Sequence, residues 1–180
     1  MGELHVSSVS RDGNKILCFG QQKGTGMDDL YYVNLSERKK YQLTENRLQE
    51  WGGVFSADEK WLAYTSEKDM EGSFAIYLNR FPEMNQEIRI SAGGGEEPKW
   101  LPDGSAVYYR NGSQWMKVAV NLEGEPDIGE LEVFFEGDYV NVWGPSHDIF
   151  PDGRVLLLNG EEWVPPTEID VIINALDVEP

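Results

Sequence analysis

The amino-acid sequence predicts an all-β chain of four repeated sheet units, and three observations carry that prediction. One motif recurs as VSRDGNKILCF, FSADEKWLAYT, WLPDGSAVYYR and IFPDGRVLLLN, with turn aspartates Asp12, Asp58, Asp103 and Asp152 spaced 46, 45 and 49 residues apart. The runs after these turns do not alternate: Leu17, Ala63, Tyr108 and Leu157 are apolar, and so are the residues beside them. A strand that is apolar on both faces is one sandwiched between two sheets. No segment of useful length has a helical period, and 19 glycines with 9 prolines suit many short turns.

Within each unit the first two strands flank the turn. Asp-Gly between apolar runs signals a hairpin, because the tight turn needs positive φ. Gly13, Gly104 and Gly153 supply that residue, whereas Glu59 in the second unit implies a different turn or strain. Three residues before the aspartate stand Val9, Phe55, Trp100 and Ile149. Four after it come Ile16, Leu62, Val107 and Leu156, and six after it Cys18, Tyr64, Tyr109 and Leu158. A third strand follows as LYYVNL (30–35), FAIYLNRF (74–81), WMKVAV (115–120) and IDVIIN (169–174). Outer strands follow in three units, YQLT (41–44), EIRIS (87–91) and LEVFFEG (131–137); after Asn174 only ALDVEP remains. Four strands in about 45 residues is what one β-propeller blade requires. The expectation is one propeller domain over 1–180, with blades at about 5–44, 50–91, 97–137 and 145–174. It has about 15 antiparallel strands and an unpaired edge on the fourth blade.

Charge and composition narrow the function. Lys+Arg number 15 against 32 Asp+Glu, a net charge of −17, with a pI near 4.4. That field repels polyanions, so nucleic acid is excluded as the main partner and an anionic membrane face is disfavoured. No stretch approaches the roughly 18 apolar residues of a membrane span. The start, MGELHVSSVS, lacks the basic and apolar regions of a signal peptide, and Val6 stands where myristoylation wants Ser or Thr. A complete chain of this kind is expected in the cytoplasm. Cys18, the one cysteine, forbids an internal disulfide and a Cys-based zinc site, and reads as a small buried residue. Two histidines cannot make a His-rich metal site. Asp28 and Asp29, after the KGTGM segment, match no calcium loop and read as a solvated hairpin tip. No metal and no cofactor are implied.

FSADEKWLAYTS, GGGEEPKWLPDG and HDIFPDGRVLLLNG resemble the repeats of TolB-like β-propellers, the Trp-Asp-like repeat of the TolB and tricorn type. The likeness covers nearly the whole chain. The C-terminal half is similar to the propellers that end bacterial receptor-like serine/threonine kinases. The resemblance implies a bacterial, non-enzymatic module that binds a protein, peptide or other ligand. Members of that family usually close with six or more blades, and this chain has four. Three arrangements answer the open edges: a tight four-bladed ring, a homodimer forming an eight-bladed ring, or a piece of a larger six-to-eight-bladed propeller.

Chemistry-bearing residues are sparse. Ser146-His147-Asp148 holds the members of a hydrolytic triad, but consecutive strand residues point to alternate faces, so no relay forms among them. No catalytic residue is assigned. Paired carboxylates on adjacent inner strands could flank a glycosidic bond, which leaves a glycan or peptide hydrolase as the alternative. The expected ligand site is the mouth of the central channel, with His5, Trp51, Glu97, His147 and Asp148 as its residues. The acidic balance favours a basic peptide or protein there. Trp143 and Trp163 are further candidates for anchoring a partner.

Overall fold

The computed structural model describes residues 3–21, 26–45, 47–69, 72–141, 144–150, 152–159 and 171–172. Among the described residues it contains fifteen strands and no helix. The first sheet holds β1 (Leu4–Val9), β2 (Lys15–Gln21), β3 (Asp28–Asn34) and β4 (Lys39–Gln42) in sequence order. The second holds β5 (Glu50–Phe55), β6 (Trp61–Ser66), β7 (Ala75–Arg80) and β8 (Ile88–Arg89); the third holds β9 (Glu96–Trp100), β10 (Ala106–Asn111), β11 (Gln114–Asn121) and β12 (Asp127–Glu136). The fourth contains β13 (His147–Ile149), β14 (Val155–Leu158) and β15 (Val171–Ile172). Every pairing is antiparallel. Most of the third strand expected at 169–174, the ALDVEP end, Trp143 and Trp163 lie outside the described residues.

Sheets pack face to face as blades. Leu17 and Leu30 of the first meet Leu62, Tyr64 and Tyr77 of the second. Trp61, Ala63 and Leu78 on the other face of the second meet Val107 and Tyr109 of the third. Trp115 of the third meets Val155 and Leu157 of the fourth. All six residues of β6 are buried, as a strand between two sheets should be. Inner strands β1, β5, β9 and β13 follow one another side by side.

The repeated turn is built from its aspartate. Asp12 accepts the Ser10 hydroxyl at 2.6 Å and the Asn14 N–H at 2.9 Å, and Gly13 N–H closes onto Ser10 C=O at 2.9 Å. The Ser10 hydroxyl and the Asn14 N–H hold the Asp12 carboxyl below its usual range. Only the residue after the aspartate is left-handed: Gly13, Gly104 and Gly153 have φ of 71°, 78° and 86°. Glu59 adopts the same conformation at φ 57°, so the second turn is the same turn under strain.

Glu59 is held there by the neighbouring blade. Its Oε1 accepts the Arg11 N–H at 2.7 Å and its Oε2 lies 2.9 Å from Lys15 Nζ. Glu59→Ala keeps the strain and loses this bridge, and should cost about 1–2 kcal/mol. Glu59→Gly also relieves about 1 kcal/mol of strain, so it should be close to neutral. Urea unfolding of both variants checks this; equal costs would mean that position 59 is unstrained.

One blade departs from the repeat. Val9 pairs with Ile16, Phe55 with Leu62 and Trp100 with Val107, but Ile149 pairs with Val155 rather than Leu156. The reason is a turn one residue shorter: Phe150 N–H reaches Arg154 C=O at 2.8 Å, where Leu101 N–H reaches Ala106 C=O at 2.9 Å. A one-residue slip exchanges the faces of a strand. Val155 and Leu157 therefore enter the core, while Leu156 and Leu158, aligned with Ile16 and Cys18, are half-buried.

Candidate functional site

The inner strands are bulged near their starts, with register shifts in β1, β5 and β9. In β5 the bulge contains Gly52 at φ 65°; the matching residue of β9 is Glu97, left-handed at φ 56°. A bulge re-aims a side chain, and here it sends the Glu97 carboxylate onto the start of β13. Glu97 Oε2 accepts the Ser146 N–H at 2.5 Å and the Ser146 hydroxyl at 2.7 Å, with His147 Nδ1 at 3.4 Å. All three residues are buried. Burial alone would push the Glu97 carboxyl up, but His147 and the two Ser146 donors outweigh it and hold it below the usual range. Burial, then the Glu97 charge, pushes the neighbouring Glu96 carboxyl up.

Arg110 secures the other side of this cluster. Its guanidinium donates to the carbonyls of Gly112, Val140 and Tyr139 at 2.8, 2.9 and 2.8 Å and stacks over Trp115 at 5.1 Å. Trp115 meets His147 edge-on, with ring centroids 6.2 Å apart. The Ser146 hydroxyl is thus committed to Glu97, and no serine–histidine relay exists in this cluster. The arrangement clamps the fourth blade to the third.

The five residues expected at a channel mouth separate into groups. Glu97 and His147 share the buried clamp. Asp148 points to the other side of β13, exposed, 3.3 Å from Lys99 Nζ. Trp51 is buried between Phe19 and Phe74, with ring centroids at 6.3 and 5.9 Å, and exposed His5 stacks on Phe19 at 5.2 Å. Trp51 and Glu97 also line a small cavity of about 20 Å³ among the inner strands, room for a single water. Asp29, expected at a solvated tip, is instead buried in β3 with the Gln42 amide 3.3 Å away, because the strand begins earlier than the apolar run suggests. Cys18 is buried, and burial pushes its thiol up. No group of three metal-ligating side chains occurs among the described residues.

Open space lies at the opposite end of the inner strands, on the face that carries the repeated turns. A cleft of about 290 Å³ is lined there by Ser8, Val9, Arg11, Phe55, Glu59 and Pro102, among others. Sequence reasoning passed over these residues as turn and core positions. The available signal was their placement, since each lies within four residues of a turn aspartate in three successive units.

No protein-family model matches the sequence, and no curated protein matches it. Solved structures do. TolB from Acinetobacter baumannii is 20% identical with a TM-score of 0.64, over 88% of this chain and 38% of that one. A puromycin-hydrolyzing peptidase of Mycobacterium tuberculosis is 13% identical with a TM-score of 0.66, over 96% and 29%. The β-propeller domain of the Trilobed protease from Pyrococcus furiosus, described as having an open velcro topology, is 14% identical with a TM-score of 0.53, over 98% and 58%. The chain spans half or less of the TolB structures it matches. Four antiparallel blades, a repeated turn and these neighbours together establish the fold: the chain is a partial β-propeller, similar in fold to TolB.

Proposed function

We propose that the chain is a non-enzymatic interaction module for protein or peptide, and that a second copy covers the open face of its first blade to complete a larger ring. The supporting observation is the face of that blade turned away from the second. On β1, Leu4, Val6 and Val9 are 36, 61 and 54% exposed, and they pair with Gly20, Cys18 and Ile16. Ile16 and Cys18 occupy the repeat positions at which Leu62 and Tyr64, and Val107 and Tyr109, receive the preceding blade. The face therefore has the make-up of half a blade seam. Contiguous exposed apolar surface of this kind marks interaction sites, and two half-rings related by a two-fold axis bury both ends. The field of a chain at −17 favours a basic partner for the assembled ring.

Light scattering after size exclusion should give about 41 kDa, twice 20.4 kDa. Val6→Asp should return the mass to one chain with an unchanged β spectrum. A wild-type mass of one chain at high concentration would remove the homodimer. The hydrolase alternative draws on the peptidase among the structural neighbours and on Glu96 and Glu97, adjacent carboxyls pushed in opposite directions. Against it, Glu97 is committed to Ser146 and buried in a blade seam.

A further inference from the structure

We propose that the cleft on the turn face binds the C-terminal end of a peptide, with its last apolar side chain against Phe55 and Pro102 and its carboxylate on Arg11. The proposal rests on the reading of the chain as an interaction module and names the partner's chemistry. At about 290 Å³ the cleft is at the small end of ligand pockets, enough for a terminal residue and its neighbour. Pro102 is exposed and Phe55 is half-buried, which gives the cleft an apolar side.

The charges lining the cleft decide the sign of the ligand. Glu59 has both carboxylate oxygens engaged, one by the Arg11 backbone N–H and one by Lys15. Lys15 balances the Glu59 charge, which leaves the Arg11 guanidinium as the uncompensated charge lining the cleft. The Arg11 side chain makes no hydrogen bond or ion pair with any described residue, while its own backbone is fixed by Glu59. A guanidinium presents two parallel N–H donors, the geometry that a carboxylate fits.

A terminal carboxylate offers the Arg11 guanidinium two acceptor oxygens beside an apolar last side chain. Basic residues upstream would be drawn by the −17 field, so the peptide expected has a basic body and an apolar, uncapped C-terminus.

The test uses two N-terminally labelled hexapeptides with a lysine-rich body and a final valine, one with a free C-terminus and one amidated. Fluorescence polarisation against the full chain at low salt should show the free acid binding at least about tenfold more tightly. Arg11→Ala should remove the difference while leaving the thermal midpoint unchanged, since the exposed side chain makes no hydrogen bond or ion pair with any described residue. Equal binding of acid and amide, a preference that survives Arg11→Ala, or no binding at millimolar peptide would overturn the assignment. Solution mass is read in parallel. A monomer that keeps the acid preference removes the homodimer alone, and a dimer without it removes the cleft assignment alone.

Discussion

Glu97→Ala should cost about 3–5 kcal/mol of unfolding free energy, because it takes one partner out of a buried charged network. The Ser146 N–H and hydroxyl would lose their shared acceptor, and His147 would lose the only carboxylate near its Nδ1 among the described residues. The fourth blade should open before the other three. Hydrogen exchange reads this directly, as faster exchange in β14 than in β6. Glu97→Gly should cost about 1 kcal/mol less than alanine, since a left-handed residue at φ 56° suits glycine. The pH dependence has a definite sign. A carboxyl held below its usual range contributes stability that is present above the unfolded value and is lost as pH falls through the folded one. Wild type should therefore show an acid transition in the fourth blade that Glu97→Gln lacks. A cost below about 1 kcal/mol for Glu97→Ala would refute the clamp.

Trp61→Ala should be equally damaging, for a different reason. Trp61 is 1% exposed and lies in the largest apolar cluster, with Val54, Ala63, Leu78 and Val107. The Arg80 guanidinium sits 4.9 Å from its ring. Truncation leaves a cavity that neighbouring blades cannot close, because each is fixed by its own hydrogen-bonded sheet. The expected cost is about 3–5 kcal/mol, plus about 0.5–1 kcal/mol for the lost cation–π contact. In a chain of this size that lowers the thermal midpoint by about 10 °C or more. Trp61→Phe fills part of the cavity and should recover about half. A loss of only 1–2 °C would show that the seam between the second and third blades is not the main core.

Much of the fold was legible because its determinants are local. An aspartate that caps its own turn, a left-handed residue after it and unbroken apolar runs all act within about ten residues of each other. They located the hairpins and the number of blades. The candidate site was legible only in part. Glu97 was singled out as a ligand contact, yet its partner is Ser146, 49 residues away on the next blade. Nothing in the sequence around Arg110 shows that it is buried under loop carbonyls from about 30 residues on. Arg11 and Val9 were read as turn and core, whereas they border the larger of the two cavities described.

The sequence by itself therefore determined an all-β chain of four repeated blades, the position of every repeated turn, and an acidic surface. Tertiary structure decided the rest. Pro-Asp-Gly stands in both the third and fourth turns, yet the two turns differ in length and the fourth blade presents the opposite residues to its neighbour. The same holds for the Glu97 clamp, for the small cavity beside Trp51, and for the cleft at Arg11. Each is set by which side chains of one blade meet those of the next. Register and side-chain aim are chosen by what becomes buried between sheets, and those partners lie about one repeat apart, beyond the reach of any local pattern.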